Sequence, residues 1–162
     1  LKIYYDTESR WFTWGGWTNR KLKAYVSVKN IDGLTASGGS DVQISGTLSS
    51  QKLKMGLSGG CDFKGNVSIN ELNINASGGS DVSISGKAAN LVIDVSGGSD
   101  LDGYGLTADN CNVSCSGGSD VNITVNKELT ADASGGSDIH YRGNAVIKKT
   151  NSSGGSSVSK RG

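Results

Sequence analysis

A Ser-Gly-Gly motif returns along this chain at nearly constant intervals, and no other feature of the sequence restricts the fold so strongly. The seven copies begin at Ser37, Ser58, Ser77, Ser96, Ser116, Ser134 and Ser153. The steps between them are 21, 19, 19, 20, 18 and 19 residues, and the first six copies continue as Ser-Asp or Cys-Asp. A fixed period near twenty is typical of a solenoid, in which each repeat buries its apolar face only against its neighbours.

Apolar residues occupy fixed positions on both sides of the motif. Before it they alternate with mostly polar residues, as in LNINA at residues 72–76, and after it the same alternation occurs, as in VSI at residues 82–84. Alternation with period two predicts a half-buried strand. We therefore predict coils made of a strand, a Gly-Gly corner, a second strand and a loose corner that absorbs the variable length of the repeat.

Stacking such coils predicts an all-β fold, a parallel β-helix with about 19–20 residues per coil. A leucine-rich repeat has a similar period, but its helical segment and Asn-containing pattern are missing here. We expect one β-helix domain over residues 1–162, with an aromatic-rich cap segment at residues 1–20 and the repeat coils at residues 21–162.

The residue after each Gly-Gly pair has the parity of the inward positions, and we expect its side chain to hydrogen-bond to the backbone at the corner. The aspartate that follows faces outward, which predicts a column formed by Asp41, Asp62, Asp81, Asp100, Asp120 and Asp138. Two charges about 4.8 Å apart in water repel by about 0.9 kcal/mol before screening, so something must offset the column. Either each carboxylate accepts backbone N–H groups of the corner, or the row holds Ca²⁺ ions. No other cofactor is expected.

All three tryptophans, Trp11, Trp14 and Trp17, lie in the segment RWFTWGGWTNR at residues 10–20. One interpretation is a hydrophobic lid over the end of the core. The other is an exposed aromatic platform for flat ligands such as sugars. Asn73 and Asp94, at outward positions of the strands, complete the set of candidate ligand-binding residues.

The charge distribution argues against some partners. The net charge is +1, but residues 65–147 carry ten acidic and three basic side chains, which disfavours nucleic-acid binding. No apolar run of about 18 residues predicts a transmembrane segment. The chain opens at Leu1 without an apolar leader, so we expect any export signal to lie outside this sequence.

Few residues suggest catalysis. His140 is the single histidine, and the cysteines Cys61, Cys111 and Cys115 fall at inward positions, where they are expected to be inert. A carboxylate cluster around Asp100, Asp102 and Asp120 leaves a polysaccharide lyase or hydrolase as an alternative function. The longest connection, DGYGLTADN, predicts a shallow patch of Asp102, Tyr104 and Asp109.

The repeated pattern L-x-I-x-x-S-G-G-S-D-V-x-I-x-G, preceded by KLKAYVSVKNIDGLTASGGSDV, resembles the family "putative auto-transporter adhesin, head GIN domain" of Gram-negative bacteria. The resemblance implies an exported protein and a single-stranded, right-handed parallel β-helix, with no catalytic motif to carry over. Members of that family usually begin with further strands, so we expect that the first coils of the full domain lie outside this sequence.

These observations predict an exported, non-catalytic binding protein of the cell surface, the extracellular space or the periplasm. Its polar face would contact a polysaccharide or a host surface protein. A further alternative is a structural rod that self-associates into oligomers.

Overall fold

The computed structural model describes residue 3 and residues 23–162, and within them the chain forms one parallel sheet of nine strands. The strands are β1 (Gly33–Ser37), β2 (Asp41–Ser58), β3 (Asp62–Ser77), β4 (Asp81–Val95), β5 (Asp100–Gly117), β6 (Asp120–Gly135), β7 (Asp138–Arg142), β8 (Val146–Gly154) and β9 (Ser157–Lys160). They pair in chain order, except that β7 and β8 both lie beside β6 and β9 lies beside β7. The described residues contain no helix, and the coils make about seven turns of a β-helix, as predicted.

Each of the strands β2 to β6 runs from one Gly-Gly corner to the next, because the backbone turns at the other corners of the coil without leaving the ladder. The register sets equivalent residues of successive repeats side by side, as with Asp62 beside Asp81 and Asp81 beside Asp100. β7 and β8 together form the coil after β6. Sequence period and coil period are therefore the same.

The inward residues of both predicted strands form one continuous core. Leu72, Ile74 and Ala76 before the corner and Val82 and Ile84 after it are all less than 5 % exposed. Burial of a Leu, Ile or Val side chain contributes about 1.5–3 kcal/mol relative to leaving it exposed. The alternation read from the sequence thus identifies these core positions correctly.

The predicted loose corner is instead a third ordered side of the coil. Residues 47–50 of β2 pair in register with residues 66–69 of β3. The inward positions of this side continue the core in successive coils, as with Val67, Leu106 and Val125. The variation in repeat length is absorbed as local register shifts, such as the one between Gly103 and Thr107. Apolar burial explains the difference, because a third side encloses core that a loose corner would leave open to water.

The Gly-Gly corner requires its first glycine for two reasons. Gly78 has a φ of 72°, a conformation that residues with a side chain adopt only at a cost. A Cβ atom there would also lie 3.0 Å from the Gly59 nitrogen. The glycines of neighbouring coils therefore stack backbone against backbone. A side chain at this position would force the coils apart.

Candidate functional site

The predicted aspartate column lies on the surface, immediately after each corner. The register sets Asp41 beside Asp62, Asp62 beside Asp81, Asp81 beside Asp100 and Asp120 beside Asp138. Five of the six are exposed, and Asp138 is half-buried. The carboxylates thus form the row that the repeat predicts.

Two carboxylates of this row accept hydrogen bonds from the next coil. Asp100 Oδ1 accepts the backbone N–H of Asp120 at 3.0 Å. Asp138 Oδ1 accepts both the backbone N–H and the hydroxyl of Ser157, at 3.1 and 2.7 Å. The donors lie at the equivalent position of the following coil rather than in the Gly-Gly pair. The acceptor role expected of the column is therefore met at these two positions with different donors.

The calcium hypothesis concerns the same row. Within the part of the chain that the structure describes, no group of three or more His, Cys, Asp or Glu side chains could hold a metal ion. Calcium prefers six to eight oxygen ligands, so a single row of exposed carboxylates supplies few of them. Calcium binding stays one of two open alternatives for the column, and melting in the presence of CaCl₂ tests it.

Beneath the column lies a ladder of buried hydroxyl groups. Ser80, Ser99, Ser119 and Ser137 are fully buried, and Ser99 Oγ accepts the backbone N–H groups of Gly79 and Ser80 at 3.2 and 2.9 Å. Every buried side-chain nitrogen or oxygen of the described residues has a hydrogen-bond partner. The expected inward orientation of these serines is confirmed, and it stabilises the corner that presents the aspartates.

Asn73 and Asp94 lie on the outward side of the segments that precede the corners, which we call the pre-corner face. One of its columns contains Lys54, Asn73, Val92, Asn112 and Thr130, and the other contains Gly56, Asn75, Asp94, Ser114, Asp132 and Asn151. Asn73 is therefore beside Val92 and Asp94 is beside Asn75, in adjacent columns. Both candidates are exposed and share one face.

Most polar groups at the centre of the pre-corner face are not bonded to one another. Among the described residues, the side chains of Asn73, Asn75, Asp94 and Asn112 have no protein hydrogen-bond partner. Within these two columns the one side-chain hydrogen bond joins Asn151 to Asp132. The third side of the coil is different, since Thr47 donates to Asn66, and Asn66 donates to Ser85. The pre-corner face therefore presents donors and acceptors that are available to a ligand.

An open groove of about 540 Å³ lies at the corner between the third side and the pre-corner face, lined by Ser50, Ser68, Lys87, Ala88, Thr107 and Asp109. Ion pairs between neighbouring coils flank it, with Lys52 at 3.1 Å from Glu71 and Lys127 at 2.9 Å from Asp109. Exposed pairs of this kind contribute little to stability. Sequence reasoning missed the groove because it depends on the third side.

The proposed enzymatic carboxylates lie on an outward face as well. Asp102 is exposed two residues beyond Asp100, and its register neighbour is Asn122. The predicted patch of Asp102, Tyr104 and Asp109 does not form as one unit, because Asp109 pairs with Lys127 on the third side while Tyr104 stacks under Arg142.

The cysteines are buried and free, as expected. Burial raises the pKa of the Cys111 thiol from 9.0 to about 12 and that of Cys115 to about 11. Because the thiolate is the nucleophile, both side chains are unreactive at neutral pH.

Trp11, Trp14 and Trp17 lie outside the described residues, as does most of the predicted cap segment at residues 1–20. Both interpretations of the tryptophan segment stay open.

The fold and its faces define a parallel β-solenoid with a polar, repetitive surface. The chain belongs to the family described as "Putative auto-transporter adhesin, head GIN domain", which matches residues 1–145. The resemblance noted in the sequence is therefore confirmed. A comparison with curated proteins finds no match.

Two solved structures share the fold. One is a "putative adhesin" from Parabacteroides merdae, with a TM-score of 0.65, 19 % identity, and coverage of 81 % of this chain and 64 % of the other. The second is a "putative lipid binding protein" from Parabacteroides distasonis, with a TM-score of 0.58, 19 % identity, and coverage of 83 % and 63 %. The chain thus spans slightly less than two thirds of the length of either relative.

No helix in the described residues is long and apolar enough to cross a membrane.

Proposed function

We propose that this chain is a non-catalytic, adhesin-like head that binds an extended polymer through the pre-corner face, and that this polymer is a glycan. The observation that carries the proposal is the set of exposed amide and carboxylate groups on that face that have no partner within the described protein. They recur at the spacing of neighbouring strands, about 4.8 Å. Repeated donors and acceptors at one spacing suit a ligand that is itself repetitive.

Family membership supports the same proposal at a coarser level, because the family description is "Putative auto-transporter adhesin, head GIN domain". We propose that the chain is exported, to the extracellular space, the cell surface or the periplasm. Low affinity at each coil is compatible with function, since several coils can bind one polymer together.

Affinity electrophoresis through gels that contain different polysaccharides tests the proposal, because retardation reports weak multivalent binding. We expect retardation by at least one polymer class for the unmodified chain. The double substitution Asn73→Ala and Asp94→Ala removes one amide and one carboxylate from the pre-corner face and should abolish most of it.

Gln43→Ala is the matched control, because Gln43 is an exposed amide on the other side of the Gly-Gly corner. It should leave retardation unchanged. Equal retardation of the double variant and the unmodified chain would reject the pre-corner face as the site, and no retardation in any gel would reject glycan binding. New reducing ends in the gel polymer would instead indicate a polysaccharide-degrading enzyme.

A further inference from the structure

Arg142 is held over the ring of Tyr104 by a cation–π contact, with its guanidinium carbon 4.0 Å from the ring centroid. Tyr104 belongs to the coil of β5, two coils before Arg142. The register shift between Gly103 and Thr107 gives this coil extra residues, and Thr124 Oγ1 donates to the Tyr104 carbonyl oxygen at 2.9 Å. Stacking restricts the guanidinium in position and leaves its N–H groups at the surface, where Arg142 is exposed.

A second arginine occupies the neighbouring position in the next coil. Arg161 follows β9 directly, and its backbone N–H donates to the Tyr141 carbonyl oxygen at 2.8 Å, which sets the Arg161 backbone beside that of Arg142. Its Nη2 atom is 3.1 Å from His140 Nε2. A guanidinium only donates, so Nε2 accepts, and the imidazole Nδ1–H donates to Ser159 Oγ at 2.9 Å. Arg161 is therefore also restricted in position.

Within the part of the chain that the structure describes, neither guanidinium group has a carboxylate within ion-pair distance. The three ion pairs there involve Lys52, Lys127 and Lys148, and none involves an arginine. Like charges on neighbouring strands are unfavourable. An anionic ligand that accepts hydrogen bonds from both groups would remove this repulsion, and guanidinium geometry suits a carboxylate or a sulfate.

The surroundings restrict the class of ligand. The same outward face carries Asp102, which lies beside Asn122, and Asn122 lies beside His140. The aspartate column runs two residues away along the same strands. A densely anionic surface such as nucleic acid or an anionic membrane would be repelled by these carboxylates. A sugar chain with separated acidic groups can place one of them at the arginines and its hydroxyl groups at Asn122 and Asp102.

We propose that Tyr104, His140, Arg142 and Arg161, the arginine cluster, form a binding site for the acidic group of an anionic polysaccharide. This site is on the face after the Gly-Gly corner, so it is separate from the pre-corner face. It shares the ligand class of the proposed function without depending on the same residues. Sequence reasoning missed it, although the repeat itself sets Arg142 and Arg161 at equivalent positions of successive coils.

The test uses NMR titration of the whole chain with a short oligogalacturonate, and with its methyl ester as the uncharged counterpart. His140 is the single histidine, so its ring protons are an unambiguous reporter of the cluster. We expect the acidic ligand to shift these resonances saturably and the ester to leave them in place. Arg142→Gln should weaken the affinity by about tenfold or more, since it removes a charge-assisted hydrogen bond.

Lys64→Gln is the matched control, because Lys64 is an exposed cation at the outward position equivalent to His140, several coils away. It lowers the net charge equally and should leave the affinity within about twofold. Equal weakening by both variants would reduce the effect to general electrostatics and overturn the proposal, as would equal binding of the ester. If inorganic sulfate saturates the His140 shifts and the oligosaccharide causes none, the cluster is a site for small anions. That result would also overturn the proposal.

The two proposals fail separately in these measurements. The double substitution Asn73→Ala and Asp94→Ala should leave unchanged the shifts that oligogalacturonate causes in the His140 resonances. Arg142→Gln should leave retardation by neutral polysaccharides unchanged. Circular dichroism melting of each variant verifies that it remains folded.

Discussion

The Ser99 hydroxyl accepts hydrogen bonds from two backbone N–H groups of the preceding coil, those of Gly79 and Ser80. Both coils meet here at a fully buried position. A buried donor without a partner costs about 1–3 kcal/mol, so this hydroxyl affects stability more than its size indicates. The same position is occupied by Cys61 in an earlier coil, where the thiol lies 3.0 Å from the Ser58 carbonyl oxygen.

We expect Ser99→Ala to lower the free energy of unfolding by about 1–3 kcal/mol, because it leaves the buried N–H group of Ser80 and the partly buried one of Gly79 without an acceptor. Urea denaturation measures the change. Ser83→Ala is the control, since Ser83 is exposed on the neighbouring strand, and its effect should stay within about 0.5 kcal/mol. A loss for Ser99→Ala no larger than that of the control would show that water replaces the hydroxyl.

At the scale of the coil, the geometry of the Gly-Gly corner depends on residue type. Gly78 and Gly79 both have positive φ, 72° and 81°, but only Gly78 would place a Cβ atom against the backbone of the neighbouring coil. Gly79 has open space around its Cβ position. Comparing a substitution at Gly78 with one at Gly79 therefore distinguishes the cost of backbone strain from the cost of steric contact.

We expect Gly79→Ala to cost about 1–2 kcal/mol, the penalty of a left-handed conformation alone. Gly78→Ala should cost at least about 1 kcal/mol more, because the added methyl group also displaces the stacked glycine. Gly118→Ala, with neither positive φ nor a close contact, should change stability by less than about 1 kcal/mol. Equal losses for Gly78→Ala and Gly79→Ala would mean that neighbouring coils separate at little cost.

The two strands that flank the corner are predictable because their apolar residues keep one parity in every repeat. The third side is not, since its inward column reads Leu48, Val67, Gly86 and Leu106, and a glycine interrupts the pattern. Parity also predicts that Asn73 and Asp94 face outward. It does not predict the stacking of Arg142 on Tyr104, which depends on the local register shift between Gly103 and Thr107.

The third side makes its own prediction. Leu106 is 1 % exposed, so Leu106→Ala should lower the free energy of unfolding by about 2–5 kcal/mol through lost burial and the resulting cavity. Thr107→Ala, at the adjacent outward position, should change it by less than about 1 kcal/mol. A loose corner would tolerate both substitutions, so similar small effects in urea denaturation would contradict an ordered third side.

Across the whole molecule, the aspartate column runs along the β-helix at the spacing of the strands. Asp81 lies between Asp62 and Asp100 in the register, and its carboxylate has no hydrogen-bond donor among the described residues. Each neighbouring pair repels by about 0.9 kcal/mol in water before screening. The repulsion adds along the column and decreases with salt, because the Debye length falls to about 3 Å at 1 M.

We expect Asp81→Asn to raise the free energy of unfolding by up to about 2 kcal/mol at low ionic strength, because it removes two repelling pairs, and by much less at 1 M NaCl. Asp94→Asn is the control, since its register neighbours Asn75 and Ser114 are neutral, and it should show no such salt dependence. Melting in CaCl₂ and in NaCl at equal ionic strength tests calcium on the same column. We expect equal melting temperatures, because screening alone offsets the repulsion. A further, saturable rise in CaCl₂ that Asp81→Asn removes would instead show that the column binds calcium.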